Sequence, residues 1–306
     1  MFRASTHPSS TNSQAEEMSL LQYLWRPWKS SRLQFMSDLH LEAANEYSDF
    51  QIPATAPYLV LAGDVGRLQD YQNYLRFLQR QCDKFEMVLL VLGNHEFYGL
   101  SRSEGLALAT KLEGEDILDG KLKILHRRRV DISPSITILG CTLHSHIRPE
   151  NEDFIGQKVR DFQRIRDWTV QDHNNEHNRD VTWLRNEIRA IRLHEKQLDR
   201  RVIVVTHYPP IKRGSCRPEH EENRQSDAFG TELMESDLDL SSVDFWMFGH
   251  THHTTSCSRA GVSLISNQRG YIFTQQTKAR KKWQVLFLRR SGQGRFDIKR
   301  RVKIMP

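Results

Sequence analysis

Five short polar clusters contain the side-chain types that bind metal ions and transfer protons. In chain order they are Asp38-Leu39-His40, Gly63-Asp64, Gly93-Asn94-His95-Glu96, Thr206-His207-Tyr208-Pro209-Pro210 and Gly249-His250-Thr251-His252. Each cluster follows closely after a short apolar run that is typical of a buried strand. Because side chains at the ends of such strands converge, the clusters predict one shared site rather than five separate ones.

The spacing within these clusters suits metal coordination. Asp38 and His40 are separated by one residue, so both side chains point to the same face of an extended segment. His250 and His252 repeat this spacing, and the two carboxylate oxygens of Asp64 can bridge two ions. An amide oxygen and one further imidazole complete the predicted ligand set, at Asn94 and His207.

The size and the donor types of this set predict two ions. A tetrahedral zinc ion takes four ligands, so seven ligands are too many for one such site. They suit a pair of ions that share a carboxylate. Nitrogen and oxygen donors without a thiolate favour Mn, Fe, Zn or Mg over copper(I) or an iron–sulfur cluster. We therefore predict a dinuclear centre of divalent or trivalent cations.

The charge of such a centre predicts its substrate. Two divalent ions outweigh the carboxylates of Asp38 and Asp64, so the cavity is positive and attracts a phosphate ester. Ions roughly 3.5–4 Å apart can hold a bridging hydroxide as the nucleophile and polarise the phosphoryl oxygens. His95 lies beside Asn94 but outside the ligand set, which predicts that it contacts the substrate and donates a proton to the leaving group.

Alternating strand and helix patterns must position these clusters. Short runs of Val, Ile, Leu and Phe predict buried strands at 33–36, 58–62, 87–92, 136–140, 202–205 and 245–248. Helical spacing is found at Leu68, Tyr71, Leu75 and Leu78, and again, behind Asp180 as a predicted N-cap, at Val181, Leu184, Ile188 and Ile191. This alternation predicts an α/β fold.

The order and content of the clusters resemble the calcineurin-like metallophosphoesterase superfamily. The matching motifs are Asp-x-His, Gly-Asp, Gly-Asn-His-Glu, a single His after a strand, and Gly-His-x-His, over residues 33–252. The resemblance implies a four-layer α-β-β-α sandwich of two mixed sheets with helices outside. It also implies hydrolysis of a phosphomonoester or a phosphodiester, with Mn as the cation expected to support activity in vitro.

The same resemblance divides the ligands between the two ions. One ion would be held by Asp38, His40, Asp64 and His252. The other would be held by Asp64, Asn94, His207 and His250. His95 matches the substrate-facing histidine of the family.

One stretch departs from a branch of the superfamily. The Ser/Thr protein phosphatases continue their Gly-Asp motif with Val-Asp-Arg-Gly, whereas Asp64 is followed here by Val65, Gly66 and Arg67. This difference argues against a protein phosphatase. It leaves Arg67 as a candidate phosphate contact without the support of a complete motif.

Four more residues near the motifs are candidate substrate contacts. Tyr98 and Tyr208 can stack on a substrate or hydrogen-bond to it, although aromatic residues near strands more often belong to the core. His144 and His146 follow the strand at 136–140, where one register directs both to the same face. Packing beneath the next segment is an equal alternative for this pair. Glu96 is expected to support a turn or a ligand rather than bind metal.

The remaining chain divides into a tail and one domain. Residues 1–31 are predicted to be a mobile N-terminal tail, and residues 32–306 to form the phosphoesterase domain. Within it, 146–200 is predicted to be an inserted, mostly helical lobe and 212–242 an insertion loop. The lobe histidines are expected to be solvated: His173, His177 and His194. The basic segment 278–303 is expected to form a charged sheet edge around a strand at 283–288.

Composition limits the partners and the location. The 306 residues carry 44 Lys and Arg against 38 Asp and Glu, and a net charge of +6 is too small to identify nucleic acid as the partner. No apolar run approaches the roughly 18–20 residues of a membrane span. The four cysteines include no Cys-x-x-Cys pair, which favours a reducing, cytoplasmic location. A mitochondrial presequence stays open as the alternative, although Glu16 and Glu17 oppose it.

Two other functions stay open. The basic segments 127–129, 278–282 and 299–303 would suit a metal-dependent nuclease, although charge runs are usually solvated faces. Some members of the superfamily have lost catalysis and serve as protein-assembly scaffolds, but these typically lack part of the ligand set, which is complete here. We therefore expect a phosphate-ester substrate and no obligatory protein partner.

Overall fold

Eleven strands and five helices are formed by the residues that the structure describes. The computed structural model describes residues 31–194, 200–236, 238–272 and 294–304. The strands are β1 Ser31–Met36, β2 Tyr58–Ala62, β3 Met87–Val91, β4 Leu122–Ile124, β5 Arg128–Ser133, β6 Ile136–Cys141, β7 Arg201–Thr206, β8 Val243–Phe248, β9 Ser256–Arg259, β10 Val262–Ser266 and β11 Arg301–Ile304. The helices are α1 Tyr71–Cys82, α2 Arg102–Glu113, α3 Glu152–Lys158, α4 Asp161–Arg164 and α5 Val170–His194.

The strands form two mixed sheets. The first has the order β11-β1-β2-β3-β4, with β1 to β4 parallel and β11 antiparallel to β1. The second has the order β5-β6-β7-β8-β10-β9, with β6, β7, β8 and β10 parallel and the two edge strands antiparallel to their neighbours. The carboxyl ends of the central strands of each sheet therefore lie along one edge.

The two sheets pack face to face with helices on their outer faces. In β2, Val60 belongs to the core between the sheets, whereas Leu59 and Leu61 belong to the core beneath α1 and α2. In β7, Ile203 faces the first sheet and Val204 packs under α5. Because both faces of the central strands are buried, their sequences are continuous apolar runs. The predicted four-layer α-β-β-α sandwich is confirmed.

The last helix of the predicted lobe begins earlier than its sequence pattern indicates. Asp180 was predicted as the N-cap, but α5 starts at Val170, behind reciprocal hydrogen bonds between Thr169 and Asp172. Asp180 lies within the helix, fully buried, and accepts hydrogen bonds from Arg127 at 2.7 Å and from the Leu143 backbone at 2.8 Å. The N-cap prediction is wrong because the residues before Asp180 are already helical. Their buried side chains are polar, so no apolar periodicity reveals these first turns of α5.

Those polar side chains include two histidines that we expected to be solvated. His173 and His177 are buried. His173 Nε2 accepts a hydrogen bond from the Ser145 backbone at 3.1 Å, and His177 Nδ1 lies 3.1 Å from the Leu143 carbonyl. The expectation of solvation is therefore wrong for both. The cause is that α5 covers the irregular segment after β6, whose backbone groups need partners.

Several expectations concern residues that the structure does not describe. The tail prediction for 1–30 and the strand predicted at 283–288 lie outside the described residues, whereas Ser31 already begins β1. Within the described residues, 212–242 is irregular apart from short turns at Pro218–His220 and Ser226–Ala228.

None of the described helices combines the length and apolar character that a membrane crossing requires.

Candidate metal centre

The seven predicted ligands come from loops that leave the carboxyl ends of five strands. Asp38 and His40 follow β1, Asp64 follows β2, and Asn94 follows β3. The second sheet supplies the other three ligands, from the loops after β7 and β8: His207, His250 and His252. Because the two sheets are stacked, the loops from both meet at one end of the sandwich. The structure therefore brings all seven side chains into one cluster.

The first part of the cluster joins Asp38, His40 and His252. The Nε2 atoms of the two histidines lie 2.8 Å apart, and His252 Nε2 lies 3.6 Å from Asp38 Oδ1. The three residues each offer one donor atom, and these atoms all lie within 4.8 Å of one another, which is close enough to hold one metal ion. Asp64 Oδ2 approaches this group, 3.9 Å from His40 Nε2.

The second part joins Asp64, Asn94, His207 and His250. Asp64 Oδ1 lies 3.3 Å from His207 Nε2, and Asn94 Oδ1 lies 2.9 Å from the same nitrogen. His250 Nδ1 is 3.2 Å from Asn94 Oδ1 and 3.3 Å from His207 Nε2. The two oxygens of Asp64 thus face different halves of the cluster.

The donor atoms around His207 fit a cation. His207 Nδ1 lies 2.9 Å from the Ala62 carbonyl and donates its proton there, so Nε2 is the atom that can offer a lone pair to a cation or, without one, carry a second proton. That lone pair faces Asn94 Oδ1 and Asp64 Oδ1, which are both acceptors. Burial alone would lower the pKa of His207, but the Asp64 and Asp38 charges raise it to about 10. This cluster therefore attracts positive charge.

The backbone of the cluster is unusual. Five of the seven predicted ligands have φ between 47° and 74°, in the left-handed region that residues other than glycine rarely adopt. They are Asp38, His40, Asp64, His250 and His252. Backbone strain of this kind collects at functional sites, where the surrounding structure maintains it. The extended geometry predicted for Asp38-x-His40 and for His250-x-His252 is therefore wrong, because these residues adopt left-handed φ values.

Two motif glycines allow the loops to approach closely. A Cβ atom on Gly63 would collide with the His207 ring, and one on Gly93 would collide with the Asp64 carboxylate. Gly63 also has a φ of 89°, which favours glycine. The glycines of the Gly-Asp and Gly-Asn-His-Glu motifs therefore make room for the ligands beside them.

Glu96 holds two of these loops together. Its carboxylate accepts backbone hydrogen bonds from Asp64 at 2.9 Å, Val65 at 2.8 Å and Gly93 at 2.7 Å, and a side-chain hydrogen bond from Tyr74 at 2.9 Å. Glu96 is fully buried. The expectation that it supports a turn rather than binding metal agrees with these contacts.

His95 lies at the border of the cluster between two partners. Its Nδ1 is 2.8 Å from Glu42 Oε1, and its Nε2 is 2.8 Å from the Tyr271 hydroxyl. The His95 ring also lies edge-on to the His40 ring, with centroids 4.4 Å apart. Burial alone would lower the pKa of His95, but the Asp64 charge and the bond to Glu42 raise it to about 9. The contact with Glu42 therefore fixes the His95 ring beside the ligands.

Asp161 connects the predicted lobe to the cluster. Its Oδ1 accepts hydrogen bonds from Asn94 Nδ2 at 2.9 Å and from the Tyr98 hydroxyl at 2.6 Å, and its Oδ2 accepts one from the Tyr208 hydroxyl at 3.1 Å. The fully buried Tyr208 ring packs on His250, with centroids 3.9 Å apart. The hydroxyls of Tyr98 and Tyr208, both candidate substrate contacts, are thus directed toward Asp161.

The other candidate substrate contacts lie apart from one another. The guanidinium of Arg67 pairs with Asp70, with Nε 3.3 Å from Oδ2. His144 is buried beside Tyr208, with ring centroids 5.5 Å apart, whereas His146 is exposed. The prediction that His144 and His146 share one strand face is wrong, because β6 ends at Cys141 and His144 itself has a φ of 39°.

Sequence reasoning missed three residues of this site. Glu42 follows the Asp38-x-His40 motif by two residues, so its position beside a motif was a usable signal. Asp161 and Tyr271 lie in stretches without a recognisable pattern. Their roles depend on contacts across 67 residues to Asn94 and 176 residues to His95.

The fold and the ligand cluster are together those of metal-dependent phosphoester hydrolases. The sequence model of the calcineurin-like phosphoesterase family matches residues 31–254, and the chain belongs to this family. It is an enzyme that hydrolyses phosphate ester bonds. The scaffold alternative is therefore not supported.

Individual relatives are distant. An uncharacterized protein of Acanthamoeba polyphaga mimivirus is 25% identical over 272 residues, which cover 78% of this chain and 91% of the relative. The crystal structure of phosphopantetheinyl hydrolase from Mycobacterium tuberculosis has a TM-score of 0.56 at 18% identity, covering 86% of this chain and 93% of that one. A putative 5'-nucleotidase from Staphylococcus aureus has a TM-score of 0.45 at 14% identity, covering 79% and 49%. At 18% identity the phosphopantetheinyl hydrolase structure shows the shared fold alone.

Proposed function

We propose that this protein is a dinuclear-metal hydrolase of phosphomonoesters or phosphodiesters. The observation that carries the proposal is the position of Asp64, whose Oδ1 lies 3.3 Å from His207 and whose Oδ2 lies 3.9 Å from His40. A carboxylate placed between two imidazole clusters suits a bridge between two ions. We assign Asp38, His40 and His252 to one ion, and Asn94, His207 and His250 to the other.

The cations would supply an activated water molecule as the nucleophile and would neutralise charge on the phosphoryl oxygens. The donor set contains no thiolate, and we propose manganese as a cation that supports activity. A cytoplasmic location stays a prediction from the cysteine content.

His95 performs the proton transfer in this proposal. When the phosphorus–oxygen ester bond breaks, the leaving oxygen takes the proton from His95 Nε2. Glu42 holds Nδ1 at 2.8 Å, which fixes the ring orientation and stabilises the imidazolium. Because the Tyr271 hydroxyl lies 2.8 Å from Nε2, it occupies the position that the leaving oxygen takes, and the substrate must displace it. Solvent then returns the proton to His95.

The experiment is turnover of 4-nitrophenyl phosphate and bis(4-nitrophenyl) phosphate by purified, manganese-loaded protein. We expect hydrolysis of at least one ester, loss of activity with a chelator, and recovery with added manganese. Turnover that is unchanged by the chelator, or no turnover of either ester, would contradict the proposal. The ratio of the two rates distinguishes a monoesterase from a diesterase.

The contacts of the basic segment 127–129, one of the three that suggested a nuclease, argue against that alternative. Arg127 pairs with Glu176 and Asp180, Arg128 with Glu113, and Arg129 with Asp131. A run whose charges are matched by carboxylates gives little attraction to a phosphate backbone. The segment 278–282 lies outside the described residues. A steep fall of oligonucleotide binding with rising salt would restore the alternative.

A further inference from the structure

A cavity of about 290 Å³ opens beside the candidate metal centre. His250 and His252 form one side of it, and the predicted insertion loop forms the other through residues 212–230. A group attached to a phosphorus atom at the metal centre could therefore reach this cavity. Its volume equals that of about ten liquid water molecules, so it accommodates about ten to fifteen non-hydrogen atoms.

One wall of the cavity is aromatic. Phe229 is half-buried, lines the cavity, and stacks on the His250 ring with centroids 5.2 Å apart and an interplanar angle of 29°. Ring faces of this kind favour flat ligands, which pack against them in offset or edge-on geometry. The aromatic wall therefore favours a ligand with a ring.

Two charged groups of the cavity already have partners within the protein. Lys212 Nζ lies 2.5 Å from Asp227 Oδ1, and Glu221 Oε1 accepts a hydrogen bond from the Gly214 backbone at 2.7 Å. No arginine lines the cavity as far as the chain is described. The side chains of Gln225 and Ser226 line it as well and offer neutral hydrogen-bonding groups. Such a lining suits an uncharged ligand, because a buried charge needs a partner.

We propose that this cavity binds the leaving group of the ester, and that the substrate class is the phosphate ester of a compact, uncharged alcohol or phenol that contains a ring. The inference rests on the proposed function and deepens it. It excludes as substrates the esters whose leaving group carries a charge, such as a second phosphate.

The test fills the cavity without touching a ligand residue. Cys216 is half-buried and lines the cavity, so Cys216→Trp occupies it. Arg213→Trp is the matched control, because Arg213 lies on the same loop with 76% of its side chain exposed. Initial rates are measured with 1-naphthyl phosphate, the charged 4-carboxyphenyl phosphate and methyl phosphate.

We expect Cys216→Trp to lower kcat/KM for 1-naphthyl phosphate at least about tenfold, the scale on which pockets discriminate by fit. Methyl phosphate should change less than about twofold, and Arg213→Trp should leave both rates intact. An equal loss for both esters in Cys216→Trp, or no loss, would overturn the inference while the proposed function stands. So would wild-type protein that prefers the 4-carboxyphenyl ester. Wild-type protein that cleaves bis(4-nitrophenyl) phosphate but none of these three monoesters would also overturn the inference. If it cleaves none of the three and neither 4-nitrophenyl ester, the proposed function itself fails.

A binding measurement checks the same cavity without turnover. The rate at which iodoacetamide alkylates Cys216 is followed by mass spectrometry of the peptide, with and without 1-naphthol, the alcohol product. We expect 1-naphthol to slow this alkylation and to leave that of Cys257, the other half-buried cysteine, unchanged. Equal rates at Cys216 with and without 1-naphthol would count against the cavity as the leaving-group site.

Discussion

Asp161 accepts a hydrogen bond from the side-chain amide of Asn94 at 2.9 Å, and this contact orients the amide. Because Nδ2 is directed to Asp161, Oδ1 must face His207 and His250, at 2.9 and 3.2 Å. The carboxylate comes from α4, in the segment predicted to be an inserted lobe. This segment therefore helps to build the site in addition to covering the fold.

The first prediction concerns this contact. Asp161→Asn replaces the carboxylate with an amide, which has both a donor and an acceptor. The Asn94 amide can then bond to it in either orientation, so the orientation of Asn94 is no longer fixed. Mutation of a partner that orients a metal ligand typically lowers metal affinity about 10–100-fold, and we expect manganese affinity to fall by about that factor. Titration calorimetry measures the change, with Tyr98→Phe as the control that retains the carboxylate. Unchanged manganese affinity in Asp161→Asn would show that this contact orients nothing.

The second prediction separates proton transfer from metal binding. His95→Ala should lower kcat about 10²–10⁴-fold, the usual contribution of a general acid, while both ions remain bound. Glu42→Gln should cause a smaller loss of kcat, because it leaves the His95 imidazole in place and weakens the Glu42 contacts to His95 at 2.8 Å and to His40 at 3.5 Å. Kinetics and elemental analysis of the same samples provide the comparison. A fully active His95→Ala protein would remove His95 from the mechanism.

The third prediction concerns the stability of the helical layer. Asp180 is fully buried and receives hydrogen bonds from Arg127 and from the Leu143 backbone. Removing one partner of such a buried pair typically costs about 3–5 kcal/mol, so Arg127→Leu should lower the free energy of unfolding by about that amount. Urea denaturation measures it. Glu222→Gln breaks the exposed pair with Arg213 and should cost less than about 1 kcal/mol. Similar losses in both variants would contradict this account.

The fourth prediction concerns acid stability. Burial alone would raise the pKa of Asp227, but hydrogen bonds from Arg148, Lys212 and Asn151 lower it from 3.8 to about 2. A carboxyl whose folded pKa is depressed stabilises the protein above its unfolded pKa and loses that contribution as the pH falls through the folded value. The stability of the wild type should therefore fall more steeply than that of Asp227→Asn between about pH 4 and pH 2. Urea midpoints at several pH values test this, and parallel curves would refute it.

The sheets, and the clustering of the candidate ligand residues, could be predicted from the sequence because each follows from a local pattern. The strand at 58–62 coincides with β2, since strands buried on both faces are continuous apolar runs. The ligands stand directly after such runs, as at Asp64 and His207. Patterns of this kind require no knowledge of distant contacts.

The parts that could not be predicted depend on tertiary contacts. The start of α5 was missed because its first turns bury polar residues such as His173 and His177, so no apolar period marks them. Asp161 lies in a charged stretch, and its role depends on a contact with Asn94 that only the folded chain forms. The left-handed backbone of Asp38 and Asp64 likewise has no signal in the residue types themselves.

The central claim is that Asp64 joins two cation sites, and metal stoichiometry of wild-type and Asp64→Asn protein tests it most directly. Both proteins are loaded with manganese, freed of excess, and analysed by elemental mass spectrometry, with circular dichroism to confirm folding. We expect two ions per wild-type chain, and we expect the folded variant to lose metal and activity together. A wild-type chain that holds a single ion, or a variant that retains both, would contradict it.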